Sequence, residues 1–182
     1  MTGLPSMTMV LGGAASGKST FAEQAILRTA KEAQKTYIAT AQAFDSEMRD
    51  KIDLHQKSRA ADGWITIEEP LALGPILQQA TVDHVILLDC ATLWLTNQLL
   101  AEADLTEASD DLVFALARCA ASVVVVTNEV GQGIVPEHAM SRRFREAQGK
   151  LNQQMARDAD LVVQVIAGLP LVLKGQLPEG LS

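Results

Sequence analysis

Basic residues are scarce in this chain: 15 Lys and Arg stand against 22 Asp and Glu, a formal net charge of −7 with a pI near 4.9. Such a surface repels polyanions on average, which argues against a non-specific nucleic-acid binder. Cysteine is nearly absent. Cys90 and Cys119 both sit in apolar or helical stretches without metal-like spacing, and they read as buried free thiols. No apolar run reaches the roughly 18 residues that a spanning helix requires. The opening Met1-Thr2-Gly3-Leu4-Pro5 carries no charged leader region. The expectation is therefore a cytoplasmic protein with no membrane span. Internal repeats, low-complexity tracts and long linkers are missing too. What remains is an ordinary globular mixture, 48% hydrophobic and 20% charged over 182 residues, suited to one domain over 1–182.

Short β-branched runs alternate with longer helix-period segments. Strands are expected at Thr8–Leu11, Thr36–Thr40, Trp64–Ile67, His84–Asp89, Ser122–Thr127 and Leu161–Ile166. A short strand, Leu171–Lys174, follows a Gly168-Leu169-Pro170 turn. Most are continuous apolar runs, as parallel strands covered on both faces require. Helices are expected at Lys18–Ala33, Asp45–Ala61, Leu71–Gln79, Thr92–Glu102, Thr106–Ala120 and Ala139–Asp158. In the last, Met140, Phe144, Ala147, Leu151 and Met155 share one face. The alternation predicts an α/β domain with a mainly parallel sheet flanked by helices, closed by an antiparallel edge strand at the C-terminus.

The sharpest local signal is Gly12-Gly13-Ala14-Ala15-Ser16-Gly17-Lys18-Ser19, which fits the phosphate-loop pattern G-x-x-x-x-G-K-[ST]. An apolar strand precedes it and a helix follows it. Glycines let the backbone turn tightly and approach phosphate oxygens without a Cβ in the way. Successive N–H groups and the helix N-terminus attract the anion. Lys18 can neutralise charge on the terminal phosphates, and the Ser19 hydroxyl can ligate Mg²⁺. The nucleotide site thus runs from Gly12 to Thr20.

Two further groups complete the constellation. Asp89 ends the strand His84–Asp89, where P-loop enzymes place the carboxylate that holds the Mg²⁺ shell. The alternative is a strand-end Asp that caps the next helix. Met48, Ile52, His55 and Arg59 follow at i, i+4, i+7 and i+11, one helical face, with Lys51 and Lys57 nearby. An imidazole beside fixed cations can attack an α-phosphate and form a phosphoramidate. A boundary residue of the helix is the plainer reading of His55.

Read together, these segments resemble the bifunctional adenosylcobinamide kinase / adenosylcobinamide-phosphate guanylyltransferase family of cobalamin biosynthesis. The resemblance runs from about Met9 to Lys174. It is carried by the phosphate loop, Tyr37-Ile38-Ala39-Thr40-Ala41, Asp45-Ser46-Glu47-Met48 leading to His55, Thr66-Ile67-Glu68-Glu69-Pro70, and Leu87-Leu88-Asp89-Cys90. The most specific stretch is Asn128-Glu129-Val130-Gly131-Gln132-Gly133-Ile134-Val135-Pro136. The family implies two reactions. A nucleoside triphosphate, ATP or GTP, phosphorylates adenosylcobinamide. GTP then guanylylates a histidine, and the GMP passes to adenosylcobinamide phosphate to give adenosylcobinamide-GDP. His55 holds the position of that histidine. The resemblance further implies guanine-nucleotide contacts at Thr40, Ala41 and Gln42, at Gln56, Lys57, Ser58 and Arg59, and at Glu68 and Asp89. It suggests a closed homo-oligomer, a trimer.

This chain departs from the family in three places. Ala15 stands where the phosphate loop commonly carries Arg. Leu54 replaces a second histidine, and Asp89 stands where a Glu also occurs. Outside those positions, Asn128 and Glu129 are placed to orient a hydroxyl or a metal-bound water, with loop capping as the alternative. Arg142, Arg143 and Arg145 either meet a substrate phosphate or form a solvated helix start or intersubunit contact. Trp64 and Trp94 read as packing or interface residues. Two rival functions stay open: a simple P-loop kinase with an inert His55, and a regulatory nucleotide switch.

Overall fold

The computed structural model describes residues 3–42 and 61–181. The expected helix Asp45–Ala61 falls, except for Ala61, outside the described residues. So do Met48, Lys51, Ile52, Leu54, His55, Gln56, Lys57, Ser58 and Arg59.

Among the described residues seven strands form one sheet: β1 (Met7–Gly12), β2 (Gln34–Ala39), β3 (Trp64–Glu68), β4 (His84–Asp89), β5 (Ser122–Asn128), β6 (Leu161–Ile166) and β7 (Leu169–Lys174). Their spatial order is β3-β2-β4-β5-β1-β6-β7. The first six run parallel, and β7 pairs antiparallel with β6. The helices described are α1 (Lys18–Thr29), α2 (Leu73–Gln79), α3 (Ala91–Leu100), α4 (Leu105–Arg118) and α5 (Ala139–Asp158).

The continuous apolar strands are buried on both faces. On one face Val10, Val85, Leu87, Val124, Val126 and Val163 pack under Ala22 and Ile26 of α1. On the other, Met9, Ile38, Ile86, Leu88, Val123 and Val125 meet Leu77, Leu95, Leu112, Leu116, Leu151 and Met155 from α2 to α5. Period-two alternation thus sends neighbouring residues of one strand to opposite layers. Trp64 and Trp94 are both buried packing residues, as expected.

Several boundaries move. α1 stops at Thr29, because a turn closed by the Ala33 N–H on the Ala30 carbonyl redirects the chain into β2. The last hairpin turns at Ala167-Gly168, with φ of 52° and 80°, so Leu169 and Pro170 already belong to β7. A two-residue turn with both residues left-handed matches the twist of the paired strands. Met140 is 61% exposed, in the first turn of α5, whereas Leu151 and Met155 are fully buried. Cys90 is buried, but Cys119 is only half-buried.

Candidate active site

All six parallel strands end on one edge, and in-register pairing aligns their last residues. Glu68 stands beside Ala39, Ala39 beside Asp89, and Gly12 between Asn128 and Val165. The order changes direction around β1: the chain leaves β1 for β2 on one side and arrives later at β6 on the other. Such switch points are where ligands bind in open α/β sheets.

The phosphate loop leaves β1 at this point. A Cβ on Gly12 would lie 2.7 Å from the Val165 carbonyl oxygen and would collide with Ser16 Oγ. Gly17 takes φ 91° and, as the residue before α1, offers no side-chain cap. The first turn of α1 contains no acidic residue, so its N–H groups and positive dipole end are left for an anion. Ala15 also adopts a left-handed φ of 54°. The Lys18 ammonium donates to the Gly13 carbonyl at 3.1 Å, folding the side chain over the loop. Ser19 is half-buried and Thr20 exposed in the first turn of α1. The hairpin turn supports the loop from behind, because the Gly168 N–H donates to the Ser16 carbonyl at 2.8 Å.

On the β2–β4 side the edge is tied together by buried hydrogen bonds. The Thr40 hydroxyl donates to the Cys90 carbonyl and accepts from the Cys90 N–H, both at 2.8 Å. Asn97 of α3 donates to the carbonyls of Thr40 at 2.8 Å and Pro70 at 3.1 Å. Asp89 is half-buried, and the Tyr37 hydroxyl donates to its Oδ2 at 2.8 Å. It does not cap α3. That position is held by Cys90, whose Sγ accepts from the Leu93 N–H at 3.4 Å. Burial, with Asp89 adjacent, pushes the Cys90 thiol up to about 11. Glu68 is exposed at the end of β3, while Glu69 Oε1 accepts from the N–H groups of Leu71 and Ala72.

On the β5 side a different network operates. The Asn128 N–H donates to Thr92 Oγ1 at 2.8 Å, and its carbonyl accepts from Asn152 Nδ2 at 3.1 Å. Behind them the Thr127 hydroxyl donates to Asn152 Oδ1 at 2.7 Å. Gln148 Nε2 donates to both Thr127 Oγ1 and Asn152 Oδ1. Gln148 and Thr127 are fully buried. The Glu129 N–H donates to the Gly12 carbonyl at 3.1 Å, so this segment starts flush with the phosphate loop. Arg142 and Arg145 hold the rest of the segment through the carbonyls of Pro136, Glu137 and Gly131. Arg142 and Arg145 thus make loop contacts that the expected choice among substrate phosphate, solvated helix start and intersubunit contact does not include.

A groove of about 630 Å³ opens here between residues 13–16, the 129–133 segment and the end of β6. Another hollow, of about 470 Å³, lies beside Thr29–Ala33 and Asp83, at the amino ends of the strands. It faces away from the phosphate loop.

The structure therefore brings Gly12–Thr20, Thr40–Gln42, Glu68 and Asp89 to one edge. Thr40 is fully buried with its hydroxyl committed to Cys90, while Ala41 and Gln42 are half-buried. No role follows from the sequence for Tyr37, which enters only within the stretch Tyr37–Ala41, nor for Asn97 or the Thr92–Thr127–Gln148–Asn152 network. The network has a signal: Gln148 and Asn152, one turn apart, interrupt the apolar face carrying Leu151 and Met155. A Mg²⁺ ion takes hard oxygen ligands and keeps several waters, so one carboxylate, one hydroxyl and substrate phosphates suffice. Asp89 has one carboxylate oxygen held by Tyr37, and Ser19 stands at the head of α1. These residues fit such an ion.

The chain matches known proteins over nearly its whole length. The profile of the cobinamide kinase / cobinamide phosphate guanyltransferase family matches residues 8–173. A bifunctional adenosylcobalamin biosynthesis protein of Pseudomonas aeruginosa is 42% identical over 171 residues, covering 92% of this chain and 97% of that protein. Its counterpart in Salmonella typhimurium is 40% identical over 184 residues, covering 92% and 99%. Among solved structures, the flagellar accessory protein FlaH of Methanocaldococcus jannaschii superposes with a TM-score of 0.52 at 14% identity, covering 98% of this chain and 81% of that one. That likeness concerns the fold alone. Family profile and relatives agree: the chain belongs to the cobinamide kinase / cobinamide phosphate guanyltransferase family.

Proposed function

We propose that this protein phosphorylates adenosylcobinamide with a nucleoside triphosphate and then transfers GMP from GTP to adenosylcobinamide phosphate through a guanylyl-histidine at His55. The observation that carries the reading is the phosphate loop set at the switch point, on the same sheet edge as Asp89, in a chain of this family. Gly12–Thr20 hold the phosphates, with Lys18 neutralising the terminal ones. Asp89 and Ser19 would hold Mg²⁺, which when bound neutralises phosphate charge. Ala41, Gln42 and Glu68 are contacts for the guanine nucleotide, with Thr40 fixing the backbone between them and Asp89. Gln56, Lys57, Ser58 and Arg59 follow His55 in sequence and are proposed as contacts to the same nucleotide.

In the guanylyl step an imidazole nitrogen of His55 forms a bond to the α-phosphorus of GTP. The bridging α–β P–O bond breaks and pyrophosphate leaves. A phosphate oxygen of adenosylcobinamide phosphate then attacks the same phosphorus, the P–N bond breaks and the diphosphate forms. Covalent catalysis of this kind divides one difficult displacement into two easier ones. In the kinase step the acceptor hydroxyl attacks the γ-phosphorus instead, and a nucleoside diphosphate leaves.

GTP labelled at the α- or the γ-phosphate tests the scheme. Acid-labile α-label on the protein, with γ-label passing to the acceptor alcohol, is the expected pair. Transfer of γ-label with no α-label retained would leave a simple P-loop kinase. Slow hydrolysis with neither would leave a nucleotide switch.

A further inference from the structure

We propose that the groove between the phosphate loop and the 129–133 segment receives the acceptor, a neutral or cationic, amide-rich alcohol, and that Glu129 orients its hydroxyl toward the γ-phosphate. The proposal rests on the kinase reading above and assigns the acceptor a place within it.

Four observations carry it. The groove is lined by the phosphate-loop residues 13–16 themselves, so whatever fills it lies against the triphosphate. Gly13, Ala14 and Ala15 present no side chain beyond a Cβ, which leaves that wall open to a bulky ligand. Away from the phosphate loop the lining contains, among the described residues, one carboxylate, Glu129, and no cation, an environment that accepts a neutral or positive molecule better than a second anion. Gln132 and Gln164 add amide donors and acceptors, and Val130 and Ile166 add apolar surface. That mixture suits a ring system fringed with carboxamides better than a bare phosphate.

Place in the sheet supports the same assignment. Of the nucleotide contacts proposed above, Ala41, Gln42, Glu68 and Asp89 lie at or just beyond the ends of β2, β3 and β4. The groove lies at the ends of β5, β1 and β6, across the phosphate loop from them. Displacement at phosphorus requires the attacking and leaving oxygens to stand on opposite sides. Donor and acceptor approaching from the two halves of the edge meet that requirement. The Glu129 wall is also fixed from beneath, since Thr92 and Asn152 clamp both backbone polar groups of Asn128. A buried, mutually bonded network is a means of holding a reactive group in register.

The acceptor oxygen bonds to the γ-phosphorus, the β–γ bridging bond breaks, and the hydroxyl proton ends on phosphate or in water. Glu129 Oε1 already accepts from the Gly131 N–H, which fixes the carboxylate, and Oε2 accepts the hydrogen bond that points the acceptor oxygen's lone pair at phosphorus.

The test is steady-state kinetics of alcohol phosphorylation with cobinamide, on the intact protein and on Ile166→Trp and Glu129→Gln. Ile166 is 55% exposed, so a larger side chain fills the groove without entering the core. Ile166→Trp is expected to raise the KM for cobinamide at least about tenfold, and Glu129→Gln to lower kcat by about a hundredfold. The KM for the donor should stay within about twofold in both. A raised donor KM with an unchanged cobinamide KM would mean that the groove holds the donor nucleoside, and the assignment fails. Unchanged constants in both variants would make the groove bare surface, and it fails again. The α-label experiment is read in parallel. A wild-type protein that phosphorylates cobinamide but retains no α-label overturns the guanylyl step and leaves this test standing.

Discussion

Two halves of one sheet edge are held by opposite means. On the β3–β2–β4 half, side chains bond across strands: Thr40 to Cys90, Asn97 to Thr40 and Pro70, Tyr37 to Asp89. On the β1–β6 half, backbone supplies the contacts: glycine where no Cβ fits, a carbonyl held by the hairpin turn, and free helix N–H groups. Thr40, Cys90 and Asn97 tie the first half together in buried positions, whereas the second is open and lined by a groove. A rigid wall and an open cradle are what a transfer between two large substrates requires. Substitutions in the cradle should therefore damage turnover more than stability, and those in the wall stability more than turnover.

The largest effect is expected for Lys18→Ala, a loss on the order of a hundred- to a thousandfold in kcat/KM for the triphosphate with the melting temperature nearly unchanged. A comparable loss of folding stability instead would erase the contrast. Gly12→Ala brings a Cβ to 2.7 Å from the Val165 carbonyl. It should cost about 2–3 kcal/mol and abolish triphosphate binding, measured by denaturant unfolding and by titration calorimetry.

Wall variants come next. Thr40→Val keeps the volume but strips a hydroxyl that both donates and accepts in a buried site. About 2 kcal/mol of stability should go, with donor binding weakened only in proportion to unfolding. Cys90 gives a pH signature. Its thiol rises from 9.0 to about 11 through burial and Asp89. The folded state holds that proton more tightly than the unfolded one, so its contribution is complete below pH 9 and is lost between pH 9 and about 11. Of the order of 2 kcal/mol should disappear across that window in urea unfolding, and Cys90→Ala should flatten the slope. The smallest effect is expected for Tyr37→Phe. Removing one bond to Asp89 should cost about 1 kcal/mol, with turnover reduced no more than about threefold.

The same contrast separates what is legible in the sequence from what is not. The cradle is legible because phosphate binding by a backbone loop imposes fixed local spacing, and Gly12, Gly17, Lys18 and Ser19 lie within eight positions. Asp89 is legible as the polar end of an apolar strand. The wall is not, since the Thr40–Cys90 and Tyr37–Asp89 bonds join residues 50 and 52 apart and exist only once β2 and β4 are neighbours. Gln148 and Asn152 stand in plain view as polar residues on an apolar helix face, yet their partner Thr127 depends on α5 lying against β5. The final turn comes earlier than the Gly168-Leu169-Pro170 pattern suggests, because Ala167 carries no sequence hint of a left-handed backbone. His55 rests on helical spacing and on family resemblance.

The central claim is the covalent step. Intact mass of the protein after incubation with GTP and Mg²⁺ addresses it directly, with His55→Ala alongside. A GMP-sized, acid-labile adduct on the native protein and none on the variant is the predicted result. No adduct on a native protein that still binds GTP would contradict it and make His55 a structural residue of an ordinary kinase.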